Sequence, residues 1–338
     1  MKRIIIFLVA FLLISCNSEL DTLIFKQFQK FITKYKKKYS SIDEFLSRYQ
    51  IFKENIISIV NSEKSSFKKG ITQFSDLTKQ EFSKTYLNLN YNALSTLNSI
   101  PYTMEKTNLK AAPSSYDYRN TNKVGPPQDQ GNCGSSWAFA TVGILQAYYS
   151  MHIGKFEYLS KQMLVDCDTS DSGCYGGLME YAFTWLTKNG GIMLESDYPY
   201  KGVKGACKSE KSKYIDMKVN GYFKYGSSTS TFNPVDEDEI KEFLYETGPL
   251  GVVMNGNPLV SYVSGVIDVP SSECPASGVN VCLLLVGYGV DSTSGKPYWL
   301  VQNSWGEEWG ESGYFRVRRG NSSCGINNYV ITARIKYD

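Results

Sequence analysis

Apolar residues recur at three- and four-residue spacing in two stretches of the N-terminal region, with polar and charged residues between them. This spacing places the apolar side chains on one face of an α-helix. The first stretch contains Phe25, Phe28, Phe31, Ile32 and Tyr35, and the second contains Phe45, Tyr49, Phe52, Ile56 and Ile59. The pattern predicts two amphipathic helices joined near Ser40 and Ser41, with Ser41 or Asp43 capping the second.

A longer apolar stretch begins after position 136 and predicts a buried helix. Its apolar members are Trp137, Phe139, Val142, Ile144, Leu145 and Tyr149. The segments 298–301 and 313–317 run apolar or alternate in the manner of strands. The C-terminal region is therefore expected to combine buried helix with a part rich in β-strands.

The first eighteen residues have the pattern of a signal peptide. A basic start is followed by an apolar run from Ile4 to Ile14, which is too short to span a membrane, and then by small residues. The mature protein is therefore expected to be secreted or to lie in a lysosome-like vesicle, where disulfides form. Cys16 is expected to be lost with this peptide; the alternative is a lipidated cysteine at a bacterial lipoprotein cleavage site.

Composition and charge narrow the function classes. The chain has 338 residues, of which 42% are hydrophobic, so it can form one large globular domain and an accessory segment, and it is not of the disordered or membrane class. Residues 19–110 carry a net charge of +6 and residues 111–338 a net charge of −5, which favours binding between the two regions. The basic run Lys36–Lys38 is interpreted as a solvated helix face rather than a nucleic-acid patch.

The most informative stretch is a glycine-rich turn, Gln130–Phe139, that runs into the buried helix. It resembles the active-site turn of papain-like cysteine peptidases, which have a cysteine before the tryptophan. This chain has Ser136 there. The resemblance implies that Gln130 supplies the oxyanion-hole side chain and the backbone N–H of Ser136 the second donor. A helix N-terminus at residue 136 favours a thiolate, but a serine needs a partnering base.

The base is missing from the sequence. The only histidine, His152, lies sixteen residues beyond Ser136, about 24 Å along a continuous helix. By resemblance, the family histidine precedes the motif at 286–289, and an alignment without gaps puts Val281 in its position. Asn303 matches the asparagine that orients the histidine, with Trp305 shielding it in the cleft. The neighbouring Cys282 is expected to be a buried core thiol.

The N-terminal region resembles an inhibitory propeptide of cathepsin L-like zymogens. The second helix carries the spaced motif residues Glu44, Arg48, Ile51, Phe52, Asn55 and Ile59. A second motif spans residues 70–76, and the chain departs from the family pattern at Glu63 and Thr72. The resemblance implies a signal peptide over 1–18, a propeptide over 19–110 that lies in the cleft, and a peptidase domain over 111–338.

The resemblance also implies the fold and the cleft. The fold is α+β, with the helical left lobe and the β-barrel-like right lobe of papain-like proteins, preceded by the helical propeptide. Gly176 and Gly177 form a wall along which a bound chain lies extended, and Leu178 and Met179 form an apolar pocket. No cofactor or metal is implied, and a monomer is expected.

Six of the cysteines are assigned to disulfides by resemblance. The implied pairs are Cys133 with Cys174, Cys167 with Cys207, and Cys274 with Cys324, although counting cysteines alone leaves the connectivity open. Asn321 begins an Asn-Ser-Ser sequence and is a candidate glycosylation site.

Three functions remain open at this stage. The first is a catalytically inactive papain-like homologue whose cleft binds its own propeptide, another peptide or protein, or a cystatin-type inhibitor. The second is an active peptidase that uses Ser136 with an unrecognised base. The third is a structural or storage protein. The changes at both Ser136 and Val281 favour the first, because neither side chain can take up the proton that the reaction must move.

Overall fold

The computed structural model describes residues 19–62, 65–87, 89, 111–225 and 234–337. The predicted signal peptide, Glu63 and most of the linker before residue 111 lie outside these residues. Among the described helices, none is long and apolar enough to cross a membrane.

The two predicted N-terminal helices pack against each other and are called the hairpin below. Helix α1 covers residues 19–34, and helix α2 covers Ile42–Asn61. The cap of α2 is Ser41, whose hydroxyl accepts a hydrogen bond from the backbone N–H of Glu44 at 3.1 Å. Four apolar side chains at the predicted spacing are buried between the helices: Ile24, Phe28, Phe31 and Phe52. The hairpin therefore has a small core of its own.

A turn and a short helix connect this hairpin to the rest of the protein. Strand β1 (Phe67–Lys69) precedes the turn, and helix α3 (Lys79–Tyr86) follows it, closed by a capping box between Thr78 and Glu81. The side-chain amide of Asn55 donates to the backbone oxygens of Ser75 and Leu77 and so holds the turn against α2.

The C-terminal domain has a helical side and a sheet side. The helices are α4 (Ser136–Ile153), α5 (Lys161–Cys167), α6 (Met179–Asn189) and α7 (Glu237–Thr247). The strands are β2 (Tyr116–Asp117), β3 (Lys218–Tyr225), β4 (Leu250–Met254), β5 (Tyr262–Ile267), β6 (Val281–Val290), β7 (Pro297–Gln302), β8 (Tyr314–Arg318) and β9 (Val330–Lys336). Their order in the sheet is β1-β5-β8-β7-β6-β4-β9-β3, and β2 pairs with β6. This is the predicted mixed α+β fold behind an N-terminal helical segment.

Helix α4 packs against strand β6 at very short range. A Cβ atom on Gly143 of α4 would lie 2.8 Å from a methyl carbon of Leu284 of β6, so a larger residue there would force the Leu284 side chain to shift. Helix α4 begins seven residues before Gly143, and strand β6 begins three residues before Leu284. Both beginnings therefore lie about 10 Å from the contact between Gly143 and Leu284. Ser136 and Cys282, which lie near those two beginnings, line one cavity, so the two elements begin at the same end of the domain.

The N-terminal segment shares its core with the C-terminal domain. Strand β1 pairs with β5 at one edge of the sheet. Three aromatic rings of the segment pack edge-on against Trp305, with centroid distances of 4.9 Å for Phe74, 5.5 Å for Phe82 and 5.9 Å for Tyr86. Thr72, where the chain departs from the family motif, donates a hydrogen bond to the backbone oxygen of Val260 at 2.6 Å.

We predict that Phe74→Ala lowers the free energy of unfolding of the full chain by about 3–5 kcal/mol, because Phe74 is buried and its removal leaves a cavity against Trp305. Chemical denaturation followed by tryptophan fluorescence measures this change. Tyr175→Ala is the control, because Tyr175 is 87% exposed and its loss is expected to cost less than about 0.5 kcal/mol. Equal effects of the two substitutions would contradict the shared core.

Candidate active site

Ser136 is the first residue of α4 and is 5% exposed. Ser135 stands at the N-cap, but its side chain makes no capping hydrogen bond. Instead, the Ser135 hydroxyl contacts the Tyr200 hydroxyl at 2.7 Å, and Tyr200 donates to the backbone oxygen of Gln130 at 2.9 Å. The helix N-terminus is thus open toward Ser136, which favours a negative charge there. Tyr200 carries no local sequence motif, and only the fold brings it to this turn.

Gln130 is fully buried and joins the two sides of the domain. Its side-chain nitrogen donates to the backbone oxygen of Cys133 at 2.8 Å. Its side-chain oxygen accepts from the Ser304 hydroxyl at 2.5 Å, and its backbone N–H donates to the Ser304 oxygen at 2.8 Å. These bonds fix the orientation of the amide beside the turn that ends at Ser136.

Val281 begins strand β6, pairs with Met254 of β4 and is fully buried. Cys282 beside it is also buried and is not part of a disulfide. Burial raises the pKa of the Cys282 thiol well above its usual range, so the thiol stays protonated at neutral pH. Cys282 thus has the surroundings of a core thiol.

Asn303 and Trp305 follow strand β7 on the side of Ser136. The Asn303 side-chain oxygen accepts a hydrogen bond from the Ser304 N–H at 2.8 Å. Its side-chain nitrogen is buried without a hydrogen-bond partner among the described residues. The backbone oxygen of Trp305 accepts a hydrogen bond from Gln73 of the N-terminal segment at 3.0 Å. Gln73 belongs to the motif over residues 70–76, but no contact of its side chain was predicted from the sequence.

His152 lies at the opposite end of α4 from Ser136. It is exposed and stacks on Tyr337, with ring centroids 4.0 Å apart. The sixteen-residue separation within one continuous helix places the imidazole about 24 Å from the start of α4. His152 therefore takes no part in the site.

A cavity of about 30 Å³ extends from Ser136 between α4 and the sheet. It is large enough for about one water molecule, and Asn303 and Lys161 also line it. Burial lowers the pKa of Lys161 to about 8. The Lys161 ammonium donates to the side-chain oxygen of Gln146 at 2.9 Å. The ammonium also lies 3.8 Å from a Glu195 carboxylate oxygen, so its partners are Gln146 and Glu195 rather than the serine hydroxyl.

Gly177 of the glycine wall packs closely against the side chains behind it. A Cβ atom on Gly177 would lie 2.5 Å from an Asp171 side-chain oxygen and 2.7 Å from the Trp137 ring. The adjacent Leu178 and Met179 are fully buried. Along this wall, Leu89 of the N-terminal segment forms a parallel bridge to Gly177. A chain thus already lies against Gly177 in the parallel direction.

Asp168 and Asp171 are two buried carboxyl groups behind this wall. One Asp171 oxygen accepts from the Leu178 N–H at 2.8 Å. The Asp168 and Asp171 side chains also hydrogen-bond each other, which requires a proton on one of them. Burial and the charge of Asp168 raise the pKa of Asp171 to about 9, and burial raises the pKa of Asp168. At neutral pH the Asp171 side chain therefore holds a proton.

Three disulfides support the site, with the pairings that the family resemblance implied. Cys133 is bonded to Cys174, which ties the turn before Ser136 to the glycine wall. The other pairs are Cys167 with Cys207 and Cys274 with Cys324. Within the described residues, no group of three or more His, Cys, Asp or Glu side chains is arranged to hold a metal ion.

Comparisons with known proteins place this site in a family. A model of the papain family of cysteine proteases matches residues 112–334, and a model of the cathepsin propeptide inhibitor domain matches residues 28–82. The chain is 36% identical to a viral cathepsin of Choristoneura fumiferana nuclear polyhedrosis virus, over 97% of each protein. It is 37% identical to a probable cysteine protease, RD19B, of Arabidopsis thaliana, over 90% of this chain and 85% of that protein.

Solved structures agree with these sequence matches. The digestive procathepsin L 3 of the Tenebrio molitor larval midgut is 33% identical, with a TM-score of 0.78, over 92% of this chain and 99% of that chain. The precursor of stem bromelain is 32% identical, with a TM-score of 0.77, over 92% of this chain and 98% of that chain.

We predict a pH-dependent effect of Asp171→Asn. The folded protein keeps a proton on Asp171 up to about pH 9, whereas an unfolded aspartate loses it near pH 4, so this group's stabilising contribution declines as the pH rises through that window. Asparagine cannot ionise, so the variant should gain stability relative to the unaltered chain as the pH rises, by up to about 1.4 kcal/mol per pH unit. Denaturation at several pH values between 5 and 9 measures the difference. Asp238→Asn, with an exposed side chain, is the control and should show no such trend.

Proposed function

The chain belongs to the papain family of cysteine proteases, and we propose that it is a catalytically inactive member whose cleft serves as a peptide- or protein-binding groove. The observation that carries this proposal is the pair of residues at the two catalytic positions. Ser136 stands at the nucleophile position, and Val281 stands at the histidine position. The proposed ligands are the protein's own propeptide, another extended peptide and cystatin-type inhibitors.

A base for Ser136 is lacking among its described neighbours. A serine hydroxyl needs a partner that removes its proton as it attacks, and the same partner must later protonate the leaving amine. The Val281 side chain is aliphatic and can do neither. Lys161 lines the same cavity, but its ammonium is hydrogen-bonded to Gln146 and not to Ser136. Loss of the nucleophile or the base of a serine peptidase triad costs about 10⁶-fold in rate, and here both of these positions have changed.

The surroundings of Asn303 support the same conclusion. In the family pattern this asparagine orients the catalytic imidazole. Here its side-chain nitrogen is buried without a hydrogen-bond partner among the described residues, and such a group costs about 1–3 kcal/mol. An amide with no imidazole to orient is what the replacement of the histidine by Val281 would leave.

Several groups that could bind an extended chain support the proposal. Gly176 and Gly177 leave room for an extended backbone. We keep Leu178 and Met179 as the expected apolar pocket; both are fully buried, and Met179 packs toward Gly251 of β4. Gln130 and the N-terminus of α4 can bind a carbonyl oxygen. These groups can hold a peptide without cutting it. The proposal includes a signal peptide over 1–18, a propeptide over 19–110 and a peptidase domain over 111–338. It also includes a secreted or lysosome-like location and a monomeric state.

We predict that peptidase activity requires two substitutions together. Ser136→Cys with Val281→His should cleave fluorogenic dipeptide substrates and react with a thiol-directed covalent probe after removal of the propeptide, because Asn303 is already placed to orient the new imidazole. The unaltered protein and each single variant should show less than about one-thousandth of that turnover. Asn303→Ala in the double variant is the control and should lower the turnover again.

Turnover by the unaltered protein above this level, abolished by Ser136→Ala, would overturn the inactive assignment and favour an active serine-dependent peptidase. If no turnover appears, tight binding of a cystatin-type inhibitor supports the groove. Failure to bind any cleft ligand would instead favour a structural or storage role.

We also predict a glycan on Asn321 in protein secreted from eukaryotic cells. Asn321 is exposed, and its side-chain oxygen accepts a hydrogen bond from the Ser323 hydroxyl at 2.7 Å, so the acceptor sequence is accessible. Removal of N-linked glycans should reduce the mass of the secreted protein, and Asn321→Gln should abolish that reduction. An unchanged mass of the secreted protein would contradict the glycan.

A further inference from the structure

The end of the propeptide helix α3 is fixed in the cleft on both sides of Leu87. Before it, the Tyr86 hydroxyl donates to the side-chain oxygen of Asn132 at 3.0 Å. After it, the Leu89 N–H donates to the backbone oxygen of Asn280 at 3.1 Å. Leu89 also forms the parallel bridge to Gly177. The Leu87 side chain therefore has a defined position over the start of β6, and it is only 6% exposed.

Leu87 meets Val281 above Gly256. A Cβ atom on Gly256 would lie 2.6 Å from a methyl carbon of Leu87 and 2.9 Å from a methyl carbon of Val281. The two methyl carbons are therefore at most 5.5 Å apart, the sum of those distances. The missing side chain of Gly256 leaves the space into which both aliphatic side chains extend.

The groups around this contact are neutral, and their polar atoms are occupied. The Asn280 side-chain oxygen lies 3.4 Å from the same point, but it accepts a hydrogen bond from the Gly256 N–H at 2.8 Å. Val281 is fully buried and aliphatic. A titratable imidazole at position 281 would instead place polar nitrogens against the Leu87 methyl groups, where burial without partners is costly.

We propose that Val281 and Gly256 form an aliphatic binding site for a leucine side chain, and that Leu87 of the propeptide is its resident ligand. The replacement at the histidine position thus adds affinity for the propeptide at the place where the family has catalysis. The ligand class is an extended peptide that pairs in parallel with Gly177. Its leucine lies two residues before the residue that pairs with Gly177, as Leu87 lies two residues before Leu89. The inference extends the proposed function and rests on the cleft remaining a binding groove.

Hydrogen exchange of the Leu89 amide in the full chain tests this site. That amide bonds to Asn280 across the interface, so its exchange rate reports how often the propeptide segment leaves the cleft. Gly256→Ala is the main variant. Its backbone φ of −85° suits alanine, so the added methyl group acts only by occupying the space of Leu87 and Val281. Val281→Thr, which keeps the size but adds a hydroxyl, is the second variant.

Leu87→Ala should speed exchange of the Leu89 amide by about 30-fold, because it removes most of a buried leucine side chain. Gly256→Ala and Val281→Thr should speed it by at least about tenfold. Leu46→Ala is the matched control, since Leu46 belongs to the same propeptide but is 55% exposed, and it should leave the rate unchanged. Amides of strand β4 that pair with β6, such as that of Val253, should keep their slow exchange in all variants and so show that the fold is intact.

Rates for Gly256→Ala and Leu87→Ala within twofold of the unaltered chain would overturn the proposed leucine site. Faster exchange with Leu46→Ala, or loss of protection throughout β4, would also overturn it, because the effect would then not be specific to this contact. The peptidase assay of the unaltered chain is independent of these rates. Turnover in that assay would refute the proposed inactivity and leave the exchange result unchanged. Unchanged exchange rates in the variants would refute the leucine site and say nothing about peptidase activity.

Discussion

The close packing of α4 against β6 is the constraint on which the cleft depends. Gly143 allows the helix to approach Leu284 of the strand, and the two elements therefore begin at the same end of the domain. Ser136 opens the helix and Val281 opens the strand. Any chemistry or binding at this end is decided by what these two positions carry, because the backbones that hold them cannot move apart without breaking the core.

The helix N-terminus and the hydrogen-bonded Gln130 lie beside Ser136. They can stabilise a negative charge there, but they cannot accept a proton. The partial positive charge of the helix can stabilise a thiolate or bind a carbonyl oxygen. It cannot supply the proton acceptor that a serine hydroxyl needs. Under the proposed function, the local structure that supports catalysis by a cysteine and a histidine in the family serves, with Ser136 and Val281, to bind a chain.

The N-terminal segment is part of the same physical unit as the domain it covers. Strand β1 extends the sheet, Phe74 packs on Trp305, and Leu87 lies beside Val281 over Gly256. These contacts are mostly apolar, so they depend little on salt or on the opposite net charges of the two regions. In an inactive protein, a propeptide held in this way can be the lasting occupant of the cleft.

Local patterns were enough to predict the helices of the N-terminal hairpin, the buried helix after Ser136 and the mixed α+β class, because apolar periodicity and short motifs depend on neighbouring residues. They also led to the prediction that Ser136 lacks a base, since His152 lies sixteen residues further along one continuous helix. Only the tertiary structure decided which residues meet from distant parts of the chain: Tyr200 under Ser135, Lys161 bonded to Gln146, and Leu87 against Val281. It also decided that Asp168 and Asp171, near each other in sequence, are buried together. The spacing of apolar residues along the chain does not show which distant positions meet. It also does not show which polar side chains are buried together.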